Sequence, residues 1–254
     1  SNMNAKPLIA ALRAPILLLV AGTATAQGYL IDSLEFPKDM PPEIGALDFA
    51  RDGMLYVSLR RGDVMTAKPS KDPKGFRWKR FATGFHNGCG MHIVKPGHLI
   101  ISQMAELTEV IDLDGDGVAD EYNKLETGIG LSGNYHETNA ICPDGKGGLY
   151  VAGGTASHNG PTSSTPLGRY SKIGRYGRNY SAVQYRGWVM HRAEDGSITP
   201  FSSGYRMHNG IEFDPGTGVS CGDNQGDWRA GSPVYHVTPD SFAGHPSSLV
   251  WDDR

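Results

Sequence analysis

The sequence predicts an all-β fold, specifically a β-propeller, and three observations carry that reading. Its 254 residues include 34 glycines, 16 prolines and 11 tyrosines, a composition suited to many tight turns between short strands. A strand, turn, strand pattern recurs: Leu55, Leu99, Leu149 and Val219 stand at equivalent positions 44, 50 and 70 residues apart, blade-length spacings with one long insertion. No stretch after residue 27 carries the apolar period of a long amphipathic helix.

Taken in order, Tyr29 to Leu34 reads as a strand that ends in the proline-rich turn Pro37 to Pro42. Leu47 to Val57 is a strand, an Asp52-Gly53 turn and a second strand, and Gly62 to Met65 begins a third. The pattern returns at Met91 to Ile101, at Ala140 to Val151, and at Gly210 to Cys221. Four antiparallel strands fit each period. Within the longest interval, His158 to Arg186 is too polar for a strand and reads as a long loop, after which Trp188 to Arg192 and Asp195-Gly196-Ser197 resume strand and turn. Four repeats are recognisable along the chain.

Lys6 and Arg13 precede the apolar run Ala14 to Ala21, and Ala24-Thr25-Ala26 offers a small-x-small cleavage site. Residues 1–26 are therefore expected to hold a cloning scar, Ser1-Asn2, and an export signal, with the propeller over 27–254. The run is shorter than the roughly 20 residues a membrane span needs, so no transmembrane anchor is expected after cleavage and the protein is expected in the bacterial periplasm or secreted. A hydrophobic content of 39% can bury a core, and a net charge of −3 provides no electrostatic footprint for nucleic acid. Three scattered cysteines exclude a disulfide framework, and Cys142 and Cys221, in or beside strands, read as small buried hydrophobes.

The rim around the strand at Ile211 to Phe213 carries Arg206, Asn209, Asp223, Asn224 and Gln225 among glycines. A guanidinium, side-chain amides and opened backbone suit a polyanionic or carbonyl-rich ligand, though the same residues could simply tie down a loop. His136 and Glu137 stand at the corresponding place before another repeat, so they are expected at the same end of the propeller. A neutral histidine there could take a proton from a substrate hydroxyl, the alternative being a hydrogen-bonded structural histidine. His245 reads as a turn residue, and Trp188 and Trp228 as packing residues.

The sharpest local motif is Asp112-Leu113-Asp114-Gly115-Asp116-Gly117-Val118-Ala119-Asp120. Carboxylates at loop positions 1, 3, 5 and 9, glycine at 6 and the Val118 carbonyl at 7 match a loop that wraps Ca²⁺ with oxygen ligands. Position 12 is Asn123 instead of glutamate, which removes the bidentate ligand; an acidic surface turn without metal is the alternative. No Gly-x-Ser-x-Gly, P-loop, Rossmann fingerprint or HExxH occurs, which removes the commonest hydrolase, nucleotide and zincin readings.

Glu106 to Tyr122, Ser132 to Glu137, Arg186 to Val189, Tyr205 to Pro215, Asp223 to Trp228 and Tyr235 to Pro246 together resemble a bacterial propeller family, the membrane-bound dehydrogenase or glucose/sorbosone dehydrogenase-like group, often joined to haem-binding modules. That group is similar to the soluble quinoprotein glucose dehydrogenases, six-bladed propellers that hold pyrroloquinoline quinone (PQQ) and calcium at one end. Gly204 to Ile211 resembles that family's Gly-x-Arg-Asn-Pro-x-Gly-Leu segment at its arginine and glycines, which implies Arg206 on the quinone carbonyls with Asn209 beside it. The resemblance implies His136 as the hydride-transfer base, although Tyr135 replaces an acidic neighbour. It implies that the Gln225-Gly226-Asp227 loop holds the cofactor calcium through its backbone. The clamp for the quinone carboxylates would lie beyond Arg254, and since four repeats cannot close such a six-bladed ring, a fragment or shortened relative of four to five blades is expected.

The expected function is thus a PQQ-dependent sugar or alcohol dehydrogenase, passing electrons to a haem-binding or cytochrome acceptor, with a non-catalytic glycan- or protein-binding propeller as the alternative. A calcium-dependent lactonase would need acidic ligands converging on the channel, and no such set is assignable.

Overall fold

A computed structural model describes residues 31–104, 106–126, 140–157, 175–176, 179–180, 185–225 and 229–251. Among the described residues, four antiparallel blade sheets follow one another along the chain, with a small three-stranded sheet inserted in the third. The first holds β1 (Ile44–Phe49), β2 (Leu55–Leu59), β3 (Asp63–Ala67) and β4 (Lys79–Thr83) in sequence order. The second repeats that meander with β5 (Gly90–Lys95), β6 (His98–Gln103), β7 (Glu106–Ile111) and β8 (Glu121–Glu126). The third pairs β9 (Ile141–Pro143) with β10 (Leu149–Gly153). It is then interrupted by β11 (Ala156–Ser157), β12 (Arg175–Tyr176) and β13 (Asn179–Tyr180), and completed by β14 (Trp188–Arg192) and β15 (Ile198–Ser203). The fourth is β16 (His208–Asp214), β17 (Gly218–Asp223) and β18 (Val234–Val237). This is a four-blade propeller arrangement with almost no helix.

The turns explain why the strands stop where they do. Asp52 accepts from the Met54 N–H, Asp144 from Lys146 and Gly148, Asp195 from Ser197, and Asp214 from Gly216 and Thr217. In each case a short carboxylate closes the turn through its own backbone, which is the chemistry that makes Asp-Gly and Asp-Pro punctuation legible.

The core lies between blades. Tyr56, Val64 and Phe81 of the first meet Met91, Leu99, Ile101 and Val110 of the second. Leu107 meets Ile141, Leu149, Val151, Trp188 and Met190, and Cys142, Ala152 and Val189 meet Ile211, Val219, Cys221 and Val237. Burial pushes the Cys142 and Cys221 thiols up to about 12, so they behave as the small hydrophobes expected. Trp188 is buried and its indole N–H donates to the Ser248 carbonyl, a packing role as expected; Trp228 lies outside the described residues.

Three expectations are corrected. Ile31 to Leu34 form no strand: Ile31 is 88% exposed, and an apolar alternation that stays in water gains no burial to hold it extended. The polar segment 158–186 does contain strands, Arg175–Tyr176 and Asn179–Tyr180, which pair with each other and with Ala156–Ser157, since two-residue ladders need backbone partners more than an apolar face. The last repeat shows three strands among the described residues instead of four. After β18 the chain crosses to β15, where Ser203 bridges Phe242 in parallel. No helix among the described residues is long and apolar enough to cross a membrane.

Candidate functional site

In a meander, the first-to-second and third-to-fourth connections lie at one end of a blade, and the second-to-third connections and interblade linkers at the other. Arg206 sits in the linker from β15 to β16 and Gln225 follows β17, so both come to the same end. The innermost strands β1, β5, β9 and β16 line a channel of about 520 Å³ whose wall includes Asn209, Gly210, His92 and Asp48.

The backbone at the channel mouth is built by Asp223. Opposite His208 in the β16–β17 ladder, it is 4% exposed and accepts from the N–H groups of Arg206 (3.0 Å), Met207 (2.6 Å) and Asn224 (2.8 Å). Burial pushes its carboxyl above the usual range, while those three N–H bonds and the Arg206 charge oppose the shift. Neighbouring connections then fasten together: Thr155 N–H donates to the Arg206 carbonyl at 2.7 Å and Tyr205 N–H to Gly187 at 3.1 Å. Gly204, at φ 89°, packs so closely that a Cβ would fall 2.5 Å from the Phe242 ring and 2.7 Å from Ala243 N, which explains the glycine that opens this segment.

Arg206 is 5% exposed, and its guanidinium donates to the Gln225 carbonyl at 2.5 Å. Asn209 and Gln225 are exposed. Arg206 and Gln225 are thus hydrogen-bonded to each other, with the arginine behind the surface, while Asn209 lines the channel. His136, Gly226 and Asp227 lie outside the described residues. His245 is fully buried beside Gly204, whose carbonyl accepts from its N–H at 2.7 Å.

Two further residues went unassigned in the sequence. Arg186 is 1% exposed, with its Nε donating to the Gly154 carbonyl at 2.8 Å. His208 is fully buried with its ring 4.4 Å from that of Tyr205, and neither ring nitrogen has a hydrogen-bond partner among the described residues. Burial, with the Arg186 charge adding, pushes His208 down to about 3. The available signal was local: both residues stand in glycine-flanked segments already picked out as motifs.

The acidic loop joins β7 to β8 and so belongs to the opposite end. Asp112, Asp114 and Asp116 bring one carboxylate oxygen each within 4.8 Å of one another. Asp112 also accepts from the Gly115 and Gly117 N–H groups, Asp114 from Asp116, and Asp116 from Val118. Asp120 accepts from the Leu113 N–H at 2.8 Å, within the same loop, and Asn123 donates to Glu109 at 3.4 Å across the β7–β8 pair. The Lys79 ammonium donates to the Asp116 carbonyl.

With that geometry in place, the comparisons with solved structures show a β-propeller fold. No family model and no curated protein matches the chain. Among solved structures it is similar to a protein from Thermus thermophilus described as an oxidoreductase (glucose dehydrogenase), at 17% identity and TM-score 0.57, over 80% of this chain and 65% of that one. It is also similar to the holo PQQ domain of a pyranose dehydrogenase from Coprinopsis cinerea, at 14% identity and TM-score 0.56, over 78% and 51%. A calcium structure of a Trichoderma reesei carbohydrate-active enzyme of family AA12 matches at 12% identity and TM-score 0.56, over 82% and 54%. The chain thus spans between about half and two thirds of the length of these structures.

Proposed function

We propose that the protein is a PQQ-dependent dehydrogenase-like propeller acting on a sugar or alcohol hydroxyl, exported to the periplasm or beyond and passing electrons to a haem-binding or cytochrome acceptor. The observation that supports this reading is the Arg206 guanidinium held on the Gln225 carbonyl, beside the strand that carries Asn209 into the channel wall. The donor set fits an acidic, carbonyl-rich group: a permanently charged guanidinium held in place, an exposed amide, and Gly210, where a Cβ would meet open space. When bound, PQQ supplies the electron sink for hydride transfer. Arg206 and Asn209 would hold and polarise its oxygens, and the Gln225-Gly226-Asp227 backbone would hold a calcium ion beside it. His136 would take the hydroxyl proton, since a histidine's ordinary pKa suits a base near neutrality.

The test is reconstitution with PQQ and Ca²⁺ followed by dye reduction with a panel of sugars and alcohols. Substrate-dependent turnover that falls at least about 100-fold in His136→Ala is expected, and absence of turnover from a folded, cofactor-loaded protein would contradict the assignment.

The burial of Arg206 favours one second reading, a non-catalytic propeller that binds a glycan or protein partner and uses this arginine to brace the loop. It requires ligand binding that survives combined His136→Ala and Arg206→Ala substitution.

A further inference from the structure

At the other end of the propeller from Arg206, a second cavity of about 390 Å³ opens between the first blade and the backbone of the acidic loop. Its floor is apolar, with Met54, Tyr56 and Phe81; Phe81 is 1% exposed and meets the Tyr56 ring edge-on at 5.4 Å. Its rim carries three cations, Lys68, Arg77 and Lys79, against one carboxylate among its described lining residues, Asp116. For a chain of net charge −3, that is a local reversal of sign.

Two of these cations are positioned. The Arg77 guanidinium is tied through one nitrogen to the Lys74 carbonyl at 2.9 Å, and the Lys79 ammonium is held by the Asp116 carbonyl. The acidic loop also borders the cavity. Its carboxylates are turned onto N–H groups of their own loop, and the wall it contributes runs from Gly115 to Gly117. Like charges gathered around a concave apolar floor repel one another, and a bound anion relieves that repulsion while its apolar body covers the floor.

We propose that this cavity, formed by Met54, Tyr56 and Phe81 beneath Lys68, Arg77 and Lys79, is a binding site for a small organic oxyanion, a carboxylate or phosphate carried on a flat apolar body. Cavity volume, apolar floor and cationic rim together set that class: a bare anion leaves the floor uncovered, and a neutral ring leaves the cations unrelieved.

The test is calorimetric titration of the full chain, in chelator so that metal plays no part, with phenyl phosphate, benzoate, inorganic phosphate and benzyl alcohol. Saturable binding of phenyl phosphate or benzoate is expected, whichever binds tighter identifying the head group, with inorganic phosphate and benzyl alcohol at least about 10-fold weaker. Affinity should fall at least about 10-fold in Lys68→Gln/Arg77→Gln, checked as folded by an unchanged melting temperature, and should weaken as salt rises. Should that variant unfold, Lys68→Gln alone, at an exposed position, serves with an expected loss of at least about threefold. No saturable binding of either aromatic anion, or equal affinity in the folded variant, would overturn the proposal.

Discussion

Asp223 shows how a residue that looks like a ligand can be a builder. Both its oxygens are committed to the Arg206, Met207 and Asn224 N–H groups, which shapes the loop that presents Arg206. Asp223→Ala would leave three donors at a buried turn without an acceptor, and the expected loss is about 2 to 4 kcal/mol in urea unfolding. His208 makes the opposite case, since it is buried without a hydrogen-bond partner among the described residues and stays neutral. Its folded pKa of about 3 lies below the value of about 6.5 in an unfolded chain, so the unfolded state binds the proton first. Its contribution to stability is therefore intact above about pH 6.5 and falls as pH drops toward 3, by up to about 1.4 kcal/mol per pH unit. His208→Phe should fold and should flatten this acid limb in melts between about pH 4 and 7; an identical acid slope would show that other groups carry it.

At the scale of the element, the acidic loop yields a prediction that stands apart from catalysis. Three carboxylates within 4.8 Å repel one another unless a cation offsets them, so we expect Ca²⁺ to be held by Asp112, Asp114 and Asp116 with the Val118 carbonyl. Calcium at about 100 times Kd should add about 2.7 kcal/mol of stability if folding is reversible. Chelator should lower the melting temperature, and Asp114→Ala should melt at that lower value with or without calcium. An unchanged melting temperature in excess chelator would leave an acidic turn only. This element also shows what a sequence reveals and what it withholds. The Asp-Gly turns and alternating strands were legible because each is settled by neighbours a few residues apart, as at Asp52 and Asp214. The bond of Asn123 to Glu109 was not, because the β7–β8 register, not loop spacing, sets those two residues opposite each other.

The whole molecule repeats that lesson. Blade spacing placed Arg206 and Gln225 at one end because meander topology converts order along the chain into position at a rim. The depth of Arg206 and the inward role of Asp223 depend on the register His208 opposite Asp223 and on connections from other blades, which no local pattern encodes. The central claim, that this rim receives an acidic quinone cofactor, is tested most directly by equilibrium titration of PQQ in the presence of Ca²⁺, followed by cofactor absorbance, on the native protein and Arg206→Ala. The account expects saturable binding with at least about a 10-fold loss in the variant. Equal affinity in the two folded proteins, or no binding by the native one, would contradict it.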